Sequence, residues 1–357
     1  MSQFWSPSVR DLTPYVPGEQ PQIDNLTKLN TNEHPLGPSP RAIEAIKAAA
    51  SDRLRLYPDP DATALKAAIA KHHGLTPEQV FVGNGSDDVL NLAFFTFFCQ
   101  SAPLLFADLT YGFYPVYAKL HGIEHHVVPL DANFRICPDD YLGQGHPKAG
   151  GIVIANPNAP TGIALDLEEI ERIVAGNPNA VVLIDEAYVD FGGKSAVGLI
   201  DRYPNVLISH TLSKSRSLAG LRVGYALGSV ELIEGLTRVK DSTNSYPVDQ
   251  IAQIGATAAI EDDAYFTAAC QMVVEGRAHL TEQLTALGFE VLPSAANFVF
   301  ARHPDHDGAA IAHWLRERAI LVRHFNRPRV DQFIRITVGT SEQTASLISA
   351  LKACVCP

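Results

Sequence analysis

Between residues 80 and 228 the chain repeats one pattern: a short, almost uninterrupted apolar run, a polar turn, then a helical stretch. The runs fall at 80–82, 104–107, 127–130, 152–155, 181–184, 206–208 and 223–227. A strand with one wet face alternates apolar and polar side chains, whereas a strand covered on both faces reads as continuously apolar. Helices between such strands supply the covers and the crossovers, so the pattern predicts an α/β fold with a mostly parallel sheet. In a fold of that kind ligands bind beyond the carboxyl ends of the strands. The polar turns that follow the runs are therefore the first places to look for chemistry.

Outside that region the character changes. Residues 1–38 are rich in Pro, Asn and Thr and read as an irregular N-terminal arm. Ser39 opens a helical pattern, and Asp61 is expected to cap a second helix that Gly74 ends. After about residue 230 long helical patterns at 231–240, 249–261 and 265–287 lead into shorter strands at 290–292, 298–301, 320–323 and 333–338. The expected division is an arm over 1–38, a large domain over 39–245 and a smaller α+β domain over 246–357. With 357 residues there is length for both cores. A net charge of −11 argues against nucleic acid as partner. The most apolar run, 90–99, is shorter than the ~20 residues of a membrane span. The five cysteines, Cys99, Cys137, Cys270, Cys354 and Cys356, are scattered and odd in number, so no disulfide framework is expected and a reducing cytoplasm is the expected setting. Cys354 and Cys356 have no His or Cys nearby to complete a metal site, and none is expected among the histidines His72, His73, His121, His125, His126, His303 and His306, which read as surface residues.

Five turns carry candidate residues. Gly83-Asn-Gly-Ser-Asp-Asp88 joins a strand to a helix; Ser86 and Asp87 either cap that helix or, with the glycines, cradle a phosphate at its N-terminus. Thr110-Tyr-Gly-Phe-Tyr-Pro115 presents Tyr111, a core ring or a face on which a flat cofactor stacks. Asn156-Pro-Asn-Ala-Pro-Thr-Gly162 is a rigid polar turn, with a cis Ala159–Pro160 bond expected. Asp185-Glu-Ala-Tyr188 puts a carboxylate at a strand end, either a loop charge or the counter-charge to a protonated ring nitrogen. Thr211-Leu-Ser-Lys-Ser-Arg-Ser-Leu-Ala-Gly-Leu-Arg-Val-Gly224 sets Lys214 among hydroxyls, with Arg222 eight residues on. A lysine that bonds a carbonyl covalently needs such a confined setting, and Thr211, Ser213 and Arg222 suit a phosphate beside it. In the last domain Arg323 and Arg335 sit in apolar strands and need an anionic partner. Arg327 and Arg329, in a proline-broken loop, are expected in solvent.

The order of these turns resembles the fold-type I pyridoxal-phosphate aminotransferases over essentially the whole chain. Val9-Arg-Asp-Leu-Thr-Pro-Tyr-Val-Pro-Gly18, Lys28-Leu-Asn-Thr-Asn-Glu-His-Pro-Leu-Gly37 and Arg335-Ile-Thr-Val-Gly339 look like the histidinol-phosphate branch of that family. The resemblance implies a large domain with a mostly parallel sheet and a smaller C-terminal domain. It implies Lys214 as the residue that bonds pyridoxal 5′-phosphate and moves a proton, Asp185 as partner of the ring nitrogen, Tyr188 beside the ring's hydroxyl oxygen and Tyr111 on the ring face. Ser86, Asp87, Thr211, Ser213 and Arg222 would hold the phosphate, with Tyr57 reaching across from a second subunit of a homodimer. Tyr15, Arg323 and Arg335 would select the substrate. Related enzymes carry asparagine where this chain has Ala159, so Asn158 is expected to supply the lost hydrogen bond, the alternatives being Asn156 or Tyr188 holding the oxygen alone. The implied reaction moves an amino group between L-histidinol phosphate and 2-oxoglutarate in two half-reactions. An aromatic amino-acid aminotransferase, a phospho-amino-acid decarboxylase and a non-catalytic binding protein of the same fold are the rivals.

Overall fold

The computed structural model describes residues 3–143 and 147–355; Cys356 lies outside them. Among the described residues the strands in chain order are β1 (Thr27–Lys28), β2 (Val80–Gly83), β3 (Leu104–Ala107), β4 (His125–Val128), β5 (Gly151–Ala155), β6 (Val181–Asp185), β7 (Val206–Thr211) and β8 (Gly224–Gly228), then β9 (Glu290–Val291), β10 (Phe298–Arg302), β11 (Ile320–Leu321), β12 (Arg323–His324) and β13 (Phe333–Thr337). The helices are α1 (Pro7–Arg10), α2 (Pro40–Ala49), α3 (Thr63–His73), α4 (Gly85–Phe97), α5 (Tyr114–His121), α6 (Leu167–Gly176), α7 (Val230–Thr243), α8 (Gln250–Ile260), α9 (Asp263–Ala286), α10 (Gly308–Arg316) and α11 (Ser341–Val355). No described helix is long and apolar enough to cross a membrane.

Strands β2 to β8 form one seven-stranded sheet in the order β2-β8-β7-β6-β5-β3-β4. Only β8 runs against its neighbours β2 and β7; the remaining pairs are parallel. Alternate residues of every strand but the edge strand β4 feed two separate cores. Val80, Leu105, Ile152, Val182 and Ile208 face one core, closed by Leu65 and Ile69 of α3, Ile170 and Ile173 of α6, and Ala252 and Ala256 of α8. Phe81, Phe106, Val153, Leu183 and Leu207 face the other, closed by Leu90 and Phe94 of α4, Tyr114 and Tyr117 of α5, and Leu236 of α7. Both faces are dry away from β4, which is why those strands read as unbroken apolar runs; β4 runs His125–Val128 at the sheet edge and leaves Val127 41% exposed.

The second sheet, β12-β13-β10-β9, packs with α9, α10 and α11 around a core of Val273, Leu280, Val299, Ile336 and Leu347. Packing therefore divides the chain after α8, whereas residue patterning places the break near 245. An apolar helical stripe says that a face is buried but not against which sheet. The arm is also less irregular than expected. Strand β1 pairs in parallel with β11, and Leu29 joins the small core at 2% exposure. The expected strand at 320–323 splits in consequence: β11 serves the arm and β12 serves β13.

Two local expectations change. Asp59, not Asp61, caps α3, its carboxylate accepting from Thr63 N at 2.8 Å, because Ala62 adopts φ 48° and folds the chain back. Arg329 is not free in solvent; it donates to Asp108 Oδ2 and to the carbonyls of Leu130 and Asp131, and Arg327 donates to the carbonyl of Asp108. Both arginines thus tie the small domain to the large one. The Ala159–Pro160 bond is cis as expected, and so is Asn156–Pro157.

Candidate active site

Strands β2, β3, β5, β6 and β7 point the same way, so their carboxyl ends share one edge of the sheet, and the candidate turns meet there. One cavity is lined by Ser86 and Asp87 at the start of α4, Tyr111 after β3, Ala155, Pro157 and Ala159 at the end of β5, Asp185 and Tyr188 at the end of β6, and Thr211, Ser213, Lys214 and Arg222 between β7 and β8. Thr31 and Glu33 of the arm close it.

At one end the strand register builds an anion cradle. Gly224 opens β8 opposite both Gly83 and Thr211. A Cβ on Gly224 would lie 2.3 Å from Ser86 N, so only glycine lets β8 approach the first turn of α4. Asn84 makes no side-chain cap to that turn, which leaves its N–H groups and the positive end of the helix dipole to the cavity. Arg222 adds a guanidinium, held 3.2 Å from Asp87 Oδ2. Its φ of 56° is costly for a residue with a Cβ, about 1–2 kcal/mol, and the site tolerates it. The Asp87 carboxylate is occupied by Arg222 and by the Tyr111 hydroxyl at 2.8 Å, so this residue offers an anion its backbone rather than its charge.

At the other end sits Asp185. It is 5% exposed, and its Oδ2 accepts from the Tyr114 hydroxyl at 2.8 Å, while its Oδ1 is buried without a partner. Burial pushes its pKa up to about 6, against the opposing hydrogen bonds from Tyr114 and Ala187 N. A buried carboxylate oxygen with no donor calls for one from a ligand. Behind it, on the other face of β6, Glu186 lies 3.1 Å from the ring of His210 and accepts from Ser195 and Ala196 N. Burial works against a charged His210, but Glu186 outweighs it and the imidazole pKa is raised. Here His73 is turned inward to the Tyr225 hydroxyl at 2.9 Å, and burial drives its pKa down to about 2, so it is not the surface histidine expected.

Lys214 is half-buried between these two ends, its Nζ donating to the Thr31 carbonyl at 3.0 Å and lying 6.0 Å from the centre of the Tyr188 ring. A free amine, an orphan carboxylate oxygen and an uncapped helix N-terminus are the three groups that pyridoxal phosphate requires for its aldehyde, ring nitrogen and phosphate. The residues present fit that cofactor.

Three expected residues lie elsewhere. Asn158 does not line this cavity; its amide nitrogen donates to the Leu109 carbonyl at 2.8 Å and to Thr161 Oγ1 at 3.2 Å. Asn156 is tied to both backbone groups of Leu165. The turn rotates both amides away from the site and presents Ala159 to it. Tyr57 is 81% exposed and stacks on Tyr246 at 4.6 Å, away from the cavity of its own chain.

Arg323 and Arg335 face each other across β12 and β13, both near the Phe325 ring. They bond carbonyls of the arm, Val16 and Pro17 for Arg323 and Asn30 for Arg335, and Arg335 Nε is buried without a partner. Tyr15 stacks on Phe113 at 4.2 Å and lies 6.3 Å from Tyr111, which places the arm over the cavity edge. Tyr114 and Asn32 escaped sequence reasoning. Tyr114 sits in the same motif as Tyr111, but nothing in the motif says which of its tyrosines reaches the carboxylate.

The chain matches the family described as aminotransferase class I and II over residues 24–351. The histidinol-phosphate aminotransferase of Aromatoleum aromaticum is 61% identical over 99% of this chain and 99% of its own length. Histidinol-phosphate aminotransferase 1 of Pseudomonas aeruginosa is 58% identical over 98% of this chain and 99% of its own. The crystal structure of the histidinol-phosphate aminotransferase of Sinorhizobium meliloti, solved in complex with pyridoxal-5′-phosphate, superposes with a TM-score of 0.89 at 26% identity over 99% of this chain and 98% of that one. The chain belongs to the class I and II aminotransferases, on their histidinol-phosphate aminotransferase branch.

Proposed function

We propose that the protein transfers an amino group between L-histidinol phosphate and 2-oxoglutarate, in the biosynthesis of histidine, with pyridoxal 5′-phosphate as cofactor. The observation that carries this reading is the unpartnered Asp185 Oδ1 facing a cavity that also holds Lys214 and the open N-terminus of α4. The bound cofactor supplies an electron sink for the pair left behind when the substrate's amine-bearing carbon loses a proton.

Around that sink each side chain has a task. Asp185 keeps the ring nitrogen protonated, and burial makes its charge count for more than it would in water. Lys214 Nζ takes the proton from the amine-bearing carbon, within a site too confined for bulk water to compete. Tyr188 donates to the ring's hydroxyl oxygen, and Tyr111 covers the ring face, held there by Asp87. Ser86, Asp87, Thr211, Ser213 and Arg222 hold the cofactor phosphate. Arg335 and Arg323, with Tyr15, take the anionic end of either substrate: the phosphate of histidinol phosphate or a carboxylate of glutamate. Arg335 Nε is already desolvated and lacks an acceptor, which favours an anion there. The exposed Tyr57 and Tyr246 pair suits contact with a second copy, so that Tyr57 reaches the partner subunit's phosphate site in a homodimer. We place the enzyme in the cytoplasm, in keeping with four described cysteines that are all free.

Half-reactions followed through the absorbance of the bound cofactor test the substrate. Histidinol phosphate should convert the enzyme far faster than phenylalanine or threonine phosphate; phenylalanine as the best donor would overturn the assignment. Arg335→Ala should raise KM for both glutamate and histidinol phosphate by about 10- to 100-fold, the loss of hydrogen bonds to charged groups. Damage confined to one of the two would mean that they do not share an anion site.

A further inference from the structure

Tyr188 is fixed by a residue of the arm, 156 positions away in the chain. Asn32 is 1% exposed, and its Nδ2 donates to the Tyr188 hydroxyl at 2.9 Å. The orientation of that amide is dictated by its surroundings. Thr337 Oγ1 accepts from Asn32 N at 3.1 Å and donates to Asn32 Oδ1 at 3.1 Å, so the oxygen of the amide faces Thr337 and the nitrogen must face Tyr188. Asn297, fully buried, holds the Asn32 carbonyl through its Nδ2 at 2.9 Å. Thr337 lies on β13 and Asn297 just before β10, so the support comes from the small domain.

This arrangement decides what the Tyr188 proton can do. An amide NH2 is a donor only, so the phenol oxygen accepts from Asn32 and its own proton is left to another acceptor. Tyr188 lines the cavity, where related enzymes direct an asparagine at the ring's hydroxyl oxygen. Here that position is Ala159, and the Nδ2 groups of Asn156 and Asn158 donate elsewhere, to the Leu165 carbonyl and to the Leu109 carbonyl and Thr161 Oγ1.

We propose that Asn32 is a positioning residue: locked by Thr337, its amide forces the Tyr188 hydroxyl proton toward the cofactor's ring oxygen and compensates for the asparagine absent at Ala159. The inference rests on the placement of Tyr188 beside that oxygen given above. A bond donated to the ring oxygen withdraws electron density from it. It thereby weakens the oxygen's hold on the proton it shares with the nitrogen of Lys214 when cofactor is bound. Deprotonation changes the colour of the bound cofactor, so the effect is read directly by a spectrophotometric pH titration of the holoenzyme without substrate.

Four variants should be titrated beside the unaltered protein: Asn32→Ala, Tyr188→Phe, the two combined, and Thr337→Val as a milder change that unlocks the amide. Tyr188→Phe should raise the transition by about half to one pH unit, the weight of one hydrogen bond. Asn32→Ala and Thr337→Val should raise it by less, and the double variant should match Tyr188→Phe alone, because Asn32 acts only through the phenol. An unshifted Asn32→Ala and Thr337→Val beside a shifted Tyr188→Phe would overturn the relay and leave the placement of Tyr188 standing. Additive shifts in the double variant would also overturn it. A Tyr188→Phe titration identical to the unaltered protein would remove Tyr188 from the ring oxygen and overturn both.

Discussion

Replacing Tyr114 with phenylalanine isolates how the fold prepares Asp185 for a cationic ring. The tyrosine is fully buried, stacked with Phe94 at 6.1 Å, and donates its hydroxyl to Asp185, so the substitution keeps the ring in place and removes one hydrogen bond. A hydrogen bond to a charged group is worth about 1.5–3 kcal/mol, or about 1–2 pH units at 1.36 kcal/mol per unit. Burial already holds the Asp185 pKa up at about 6, and without Tyr114 it should rise by that further amount. The consequence for cofactor binding depends on pH. Well above both values the carboxylate is ionised in either protein, with or without cofactor, and the loss cancels. Below both values the cofactor-free site is protonated and the variant must ionise a less stable carboxylate to bind. The ratio of dissociation constants for pyridoxal phosphate, variant over unaltered, should therefore be near one at about pH 9. It should be about two- to tenfold at pH 7 and approach about 10- to 100-fold near pH 5. The cofactor's own titrations are common to both proteins and drop out of the ratio. Equilibrium dialysis of the cofactor-free proteins across that range measures it. A ratio that is flat with pH, or equal to one throughout, would refute the claim that Tyr114 acts by stabilising the Asp185 charge.

Two further perturbations follow from the same geometry. The folded-state pKa of Asp185 lies above its unfolded value of 3.8, so the folded chain binds the proton more tightly, and the stability of the cofactor-free protein falls as pH climbs from about 4 to about 6 before levelling. Asp185→Asn should remove that penalty: up to about 3 kcal/mol more stable above pH 7 in urea unfolding, little changed at pH 4, and much weaker in cofactor binding. Stabilisation that does not grow with pH would show that burial of the charge is not its source. Gly224→Ala would drive a Cβ into the backbone of Ser86 and should cost about 1–3 kcal/mol and weaken cofactor binding, whereas Gly220→Ala, with nothing within 4 Å, should be near neutral in the same unfolding assay.

What the sequence determined was whatever is encoded locally. Unbroken apolar runs such as 152–155 and 206–208 required strands covered on both faces, and that covering fixed an α/β sheet with its polar turns along one edge. The order of those turns placed Lys214, Asp185 and the Gly83–Asp88 corner within one site, since parallel strands bring their carboxyl ends together whatever lies between. Tertiary structure decided the rest, because it depends on contacts between segments far apart in the chain. Helix α8 carries an apolar stripe that fits either domain, and only packing assigns it to the large sheet. The turn at 156–162 offers two asparagines, and its geometry rotates both away from the cavity. The direction in which a hydroxyl points is set by whichever donors and acceptors surround it. Hence Tyr114 at Asp185 is legible only once α5 packs on the large sheet, and Asn32 and Thr337 at Tyr188 only once the arm and the small domain have closed beside the lysine between β7 and β8.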